Sequence, residues 1–226
     1  MPEHQEKQVG EAFEATKANP DYKVENEAAA TSAVCNNGFA AGYPCNRVDL
    51  LSMLDINDLE AGIMPISNNE LNDIWGWTHG PSGREFALVG LSSGTVFVEI
   101  TDPFNPVNLG NLPTMGNPNS SGNNWRDIKT YNNYAVVVSE ISGHGLQIFD
   151  LTALLSASPN TIFSNTAYFN NFGSAHNVFV NEDTGFVYSV GSNQCSGGLY
   201  VVDLNNPLNP TQAGCFTADG YTHGTY

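Results

Sequence analysis

The sequence predicts an all-β protein, a β-propeller made of four-stranded blades of about fifty residues, and three observations carry that expectation. The first is an internal repeat. The segment Gly94-Thr-Val-Phe-Val-Glu99-Ile100-Thr-Asp-Pro103-Phe-Asn-Pro106-Val-Asn-Leu-Gly110 returns as Gly198-Leu-Tyr-Val-Val-Asp203-Leu204-Asn-Asn-Pro207-Leu-Asn-Pro210-Thr-Gln-Ala-Gly214, with both glycines, the strand-end acid and both prolines at a constant offset of 104. The second is that Gly145-Leu-Gln-Ile-Phe-Asp150-Leu151 keeps the glycine, acid and aliphatic frame between them, at spacings of 51 and 53 residues. The third is composition: 226 residues with 22 Gly, 41% hydrophobic, 11% aromatic and only 13% charged. Such a chain has the apolar material for a core and the glycines for many turns, unlike a disordered one.

Each repeat reads as a series of short strands. A first strand opens at Asp73-Ile-Trp-Gly-Trp77, Asp127-Ile-Lys-Thr-Tyr131 and Asn177-Val-Phe-Val180. A second follows at Phe86-Ala-Leu-Val89, Tyr134-Ala-Val-Val-Val138 and Phe186-Val-Tyr-Ser-Val190, with Tyr131-Asn-Asn133 and Asn181-Glu-Asp-Thr-Gly185 as the hairpin turns. The glycine-led segment is the third strand, and in two repeats an Asn-Pro turn leads to a fourth. A β-sandwich carrying a fortuitous repeat is the competing architecture. Propellers close with typically four to eight blades. Here three repeats and the opening of a fourth, at Gly220-Tyr-Thr-His223, leave the propeller incomplete within this chain.

Ahead of the repeats, residues 1–34 are rich in Ala, Glu and Lys and are expected to be a flexible or helical lead-in. Residues 35–71 form a cysteine-containing loop and strand segment: Asn36-Asn37-Gly38, Gly42 and Pro44-Cys45 punctuate it, and the apolar run at 48–54 suits a strand or a packed turn. Residues 72–226 hold the repeats. The four cysteines fall into two local pairs, Cys35 with Cys45 and Cys195 with Cys215. Neither shows the C-x₂₋₄-C spacing of a metal knuckle, so two disulfides in an oxidising compartment are expected, against buried free thiols in a reducing one.

Several motifs together resemble a known family. They are the aliphatic-aliphatic-Asp-aliphatic-x-x-Pro-x-x-Pro frame, Asp73-Ile-Trp-Gly-Trp77, Trp125-Arg-Asp-Ile-Lys129, Val138-Ser-Glu140, Gly143-His-Gly-Leu-Gln-Ile-Phe-Asp150, Ala175-His-Asn177, Gly197-Gly-Leu199, Ala213-Gly-Cys-Phe216, Asp219-Gly-Tyr-Thr-His223 and the Cys35…Tyr43-Pro-Cys45…Val48-Asp-Leu50 lead-in. The set resembles the choice-of-anchor B family of LVIVD-repeat bacterial surface β-propellers. The resemblance implies an exported, longer protein with further blades, tethered by a C-terminal anchor. Gly224 stands where the family pattern continues with Asp.

Candidate chemistry lies at the first strands. Asp73, Asp127 and Asn177 share one phase of the repeat, and in a propeller the innermost strand lines the channel. They could form a ring of oxygen ligands for Ca²⁺, Mg²⁺ or another divalent cation, or instead bond strand-end backbone donors and hold neighbouring blades together. The companion position carries Asn72, Arg126, His176 and His223, whose imidazoles suit a transition metal. The metal candidates are therefore Asp73, Asp127, His176, Asn177 and His223. His144, between two glycines, reads as a turn residue with Glu140 as its natural partner. Glu99, Asp150 and Asp203 end their strands where a carboxylate can accept backbone N–H groups. Trp75, Trp77 and Trp125 offer either sugar stacking or packing between blades.

Nothing resembles a nucleophile elbow, a P-loop, a dinucleotide fingerprint or a zincin helix. The expected function is an exported or cell-surface binding or structural module, without an assigned catalytic residue. The alternatives are an exported metal-dependent hydrolase or lyase acting on an extracellular polymer through channel Asp and His residues, and a structural subunit of an extracellular assembly. Partners are then protein or carbohydrate at the cell surface, with self-association as a further case. Seven basic against 23 acidic residues, a net charge of −16, exclude the counterion-releasing attraction to nucleic acid. No apolar run reaches the ~18 residues of a membrane span, and no signal-peptide core is seen, so an exported form would already have lost its leader.

Overall fold

A computed structural model describes residues 32–60, 66 and 69–224 of the chain. Of the lead-in expected over residues 1–34, positions 1–31 lie outside the described residues, and within the rest Ala33 forms a bridge with Leu50. Two compact units are present: one takes in the residues up to Asp55 with Pro103–Asn105, the other Ile56–Asp102 and Pro106 onward.

In the first unit β1 (Phe39–Ala40) and β2 (Tyr43–Pro44) pair antiparallel across Ala41 and Gly42, whose φ values of 50° and 87° are those of a type I′ hairpin turn. The stretch read as loop from its punctuation is thus tightly folded. Cys35 and Cys45 are joined in a disulfide around it, and the Cys35 N–H donates to Asp49 Oδ1 at 2.8 Å. The apolar run at 48–54 is neither a strand nor a packed turn: it is irregular, with Val48 and Leu51 exposed, and its one ladder contact is that bridge between Leu50 and Ala33.

The second unit begins with a one-turn helix, α1 (Ile56–Glu60), and continues as strands. These are β3 (Leu71–His79), β4 (Arg84–Leu91), β5 (Gly94–Glu99) and β6 (Val107–Pro113); β7 (Arg126–Tyr131), β8 (Tyr134–Ser139), β9 (Leu146–Asp150), β10 (Thr161–Ile162) and β11 (Ala167–Phe169); then β12 (Asn177–Asn181), β13 (Phe186–Val190), β14 (Leu199–Asp203) and β15 (Thr211–Phe216). They build three sheets in chain order: β3-β4-β5-β6, β7-β8-β9-β11 and β12-β13-β14-β15, each an antiparallel meander. Each sheet is one sequence repeat. The first strands are the neighbours between sheets, with β3 and β12 both beside β7.

One departure from the repeat lies in the second sheet. Where the outer repeats turn through their Asn-Pro segments, the second runs into a 3₁₀ turn, Leu151–Ser156, and then lends β10 to the first sheet as a fifth strand, parallel to β6. Gly110 makes this possible, since a Cβ there would stand 1.9 Å from the Thr161 carbonyl oxygen. In both outer repeats a bulge puts one extra residue, Leu109 or Ala213, in the fourth strand at the same place in the frame.

Packing follows the alternation of side chains along the strands. On β8 and β9, Ala135, Val137 and Phe149 face the first sheet, joining Trp77, Phe86, Leu88, Phe97 and Leu112. Their neighbours Val136, Val138, Leu146 and Ile148 face the third, joining Val178, Val180, Val187, Tyr200 and Val202. The middle sheet is buried on both faces. The third is buried on one; Phe179, Tyr188, Leu199 and Val201 on its other face are half-exposed. The second disulfide, Cys195–Cys215, ties the turn after β13 to β15.

The glycine that leads each third strand has a steric cause. A Cβ on Gly94, Gly145 or Gly198 would stand 2.4, 2.6 or 2.2 Å from the carbonyl oxygen of Leu112, Phe169 or Phe216, each on the fourth strand or at its end. Gly214, equally part of the repeat frame, has no neighbour closer than 3.6 Å. Gly198→Ala is therefore expected to cost about 2 kcal/mol in denaturant unfolding, the scale of forced overpacking, whereas Gly214→Ala leaves the midpoint nearly unchanged.

Candidate functional site

The functional geometry is set where first strands begin and second strands end. Asp73, near the start of β3, accepts the Ile128 N–H of β7 at 2.8 Å. Asp127, one sheet later, accepts the Val178 N–H of β12 at 2.7 Å and the Asn177 side-chain amide at 3.1 Å. Its other oxygen pairs with Lys129, whose ammonium lies 4.5 Å from the centre of the Trp75 ring. The same residue type at the same phase thus bonds the same backbone position of the following sheet. Burial pushes the Asp73 carboxyl above its ordinary value, and the Ile128 N–H opposes that shift. A charge-assisted bond of this kind contributes about 1.5–3 kcal/mol.

The companion position reaches the other way, back to the preceding sheet. Arg126, 5% exposed, donates to the Leu91 carbonyl at 3.1 Å, to Thr114 Oγ1 at 3.0 Å and to His144 Nε2 at 3.1 Å. All three acceptors are neutral, and burial pulls the guanidinium down to about 9, so it remains charged at neutral pH. Because arginine only donates, His144 Nε2 must accept, which leaves its Nδ1–H to bond the Gly145 carbonyl at 3.0 Å. Burial, and then the Arg126 charge, hold His144 down at about 3. It is a neutral structural imidazole.

Glu140 is therefore not the partner of His144. The fold turns His144 inward to Arg126 and gives Glu140 to His176, whose Nδ1 lies 2.5 Å from Glu140 Oε1. The His176 ring sits 4.3 Å from that of His223 and 6.2 Å from that of Trp125, centre to centre. Trp125 and Tyr221 are exposed beside this group, at 56% and 59%. One open cluster thus gathers Glu140 from the end of β8, Trp125 from before β7, His176 from before β12 and His223 from the last described segment. Sequence reasoning had placed His176 and His223 in phase but gave no sign of Glu140 as their neighbour.

The five metal candidates accordingly separate into two groups. Asp73, Asp127 and Asn177 take part in bonds between sheets, while His176 and His223 meet at the open cluster. Among the described residues, no group of three or more His, Cys, Asp or Glu side chains is arranged to hold a metal ion. The strand-end acids act locally. Asp150 Oδ1 accepts from the Thr152 N–H and hydroxyl at 2.9 and 2.7 Å, Asp203 accepts from the Asn205 N–H at 2.9 Å, and Glu99 holds Arg84 in a two-pronged pair at 2.8 and 2.7 Å. Arg84 also reaches the Leu155 carbonyl of the next repeat at 2.8 Å. Of the tryptophans, Trp77 is buried between sheets, Trp75 donates to Thr130 Oγ1 at 3.1 Å, and Trp125 presents its ring to solvent.

The His144 environment makes stability depend on pH. Its folded value lies below the unfolded one, so the unfolded chain takes up a proton that the fold refuses. Stability is full above the unfolded value and declines as pH falls from about 6.5 toward 3, by at most about 1.4 kcal/mol per unit. Denaturant unfolding at pH 7 and pH 4.5 checks this: His144→Gln, which keeps a donor and an acceptor but no titration, should lose about 2.5 kcal/mol less than wild type over that interval.

Compared with known proteins, the chain matches no family model and no curated protein.

Proposed function

We propose that the chain is an arc of an exported β-propeller whose task is binding or structural. The observation that carries this reading is the use of the recurrent acids. Asp73 and Asp127 bond the backbone of the next sheet, and Glu99, Asp150 and Asp203 bond turns and a neighbouring arginine. The repeated carboxylates serve the framework, so the chemistry left for a partner is that of the open cluster. The propeller reading is supported by the three meanders in chain order, the adjacency of their first strands and the recurring bond between them. The two disulfides and the acidic surface support an extracellular setting. Among the described residues, no helix is long and apolar enough to cross a membrane.

The face that would receive a partner carries Trp125 and Tyr221 with Glu140, His176 and His223. An exposed ring with polar groups around it suits the C–H face and hydroxyls of a carbohydrate, or an aromatic-binding protein surface. A second reading, a structural subunit of an assembly, is favoured by the third sheet. Tyr188, Leu199 and Val201 are half-exposed there, at the positions where Val136, Leu146 and Ile148 of the second sheet are buried under the next one.

The immobilised protein, offered glycans, cell-surface proteins and the chain itself, tests both. Binding of a glycan or surface protein that falls at least tenfold in Trp125→Ala, with an unchanged melting temperature, is expected. Saturable binding of the chain itself instead supports the subunit reading. Turnover of a polymer without either kind of binding would overturn the proposal.

A further inference from the structure

We infer that His176 and His223 form a two-imidazole site for a divalent transition-metal ion, with Glu140 as the residue that positions His176. The inference rests on the arrangement of three side chains. Glu140 Oε1 accepts from His176 Nδ1–H at 2.5 Å, which fixes the tautomer of a neutral ring and leaves the lone pair on Nε2. A carboxylate behind a histidine is the arrangement that orients metal-ligating imidazoles and raises their basicity. The second imidazole is close by: the His223 ring lies 4.3 Å from that of His176, centre to centre and tilted 53° to it, so a small rotation of the exposed His223 side chain brings both nitrogens onto one ion at about 2.0–2.1 Å each.

Electrostatics and access favour a cation at this point. The chain carries a net charge of −16, which raises the local concentration of divalent ions. The His176 side chain is 16% exposed and His223 is exposed, so solvent can complete the coordination sphere. Imidazole nitrogens select Zn²⁺, Ni²⁺ or Cu²⁺ over the hard ions Ca²⁺ and Mg²⁺, whose oxygen ligands would have had to come from Asp73 and Asp127. Those oxygens accept bonds from Ile128, Asn177 and Val178. With two protein ligands the affinity belongs to the exchangeable class rather than to closed structural sites, which use four. Coordination positions are then open to a ligand on the face that bears Trp125.

Calorimetric titration of the full chain with Zn²⁺ tests the site, with circular dichroism confirming that each variant is folded. Wild type should bind Zn²⁺ with one equivalent that the double variant His176→Gln/His223→Gln lacks. Each single histidine variant should weaken binding at least tenfold, and Glu140→Gln by about tenfold through its loss of positioning. Ca²⁺ should not compete. Equal affinity and stoichiometry in wild type and the folded double variant would overturn the inference, as would no wild-type binding up to about 1 mM Zn²⁺.

Discussion

The second unit depends on one bond that occurs twice: a carboxylate near the start of a first strand accepting a backbone N–H from the first strand of the next sheet. Asp73 does this for Ile128, and Asp127 does it for Val178. Among the described residues a first strand has one edge in its own sheet and another with no strand paired to it, so its backbone donors need a partner from elsewhere. A short acid supplies one without adding a strand. The bond also fixes distance and phase: each sheet is placed against its neighbour at the same residue, and the apolar faces meet in the same register each time.

From that constraint the packing follows. Residues alternate along β8 and β9 between the core shared with the first sheet and the core shared with the third. In the first of these cores Phe97, Phe149 and Phe163 stack and cross at 4.8–5.6 Å, a contact that needs the two sheets held at one separation. The companion residue completes the pairing of sheets by reaching backward. Arg126 grips the end of the second strand of the sheet before it, and His176 meets Glu140 at the corresponding place one repeat later. The open cluster is thus the framework's own backward contact, made at a site where the side chains are ionisable and solvent can enter.

Much of this was legible in the sequence, and the rest was hidden for physical reasons. The strands were legible because alternation, hairpin turns and leading glycines are local. The cause of the glycines was not, because the atom each avoids belongs to a strand about eighteen to twenty-four residues later in the chain. The excursion that donates β10 was missed because two residues carry no periodicity, and their pairing depends on space left by Gly110. The positions Asp73 and Asp127 could be found by phase, but their use could not: a ligand for a cation and an acceptor for an amide call for the same side chain. Glu140 was assigned to His144 because four residues separate them, whereas the fold spends His144 on a buried arginine and brings in His176 from 36 residues away.

The most direct test of the account is amide hydrogen exchange at Ile128 and Val178, in wild type and in Asp73→Ala and Asp127→Ala. If the carboxylates hold the sheets in register, both amides are protected in wild type. Removing Asp127 should then speed exchange at Val178 far more than at Ile128, and removing Asp73 should do the reverse. Amides that exchange at the same rate with and without their acids would contradict it, and would leave the apolar cores alone to order the sheets.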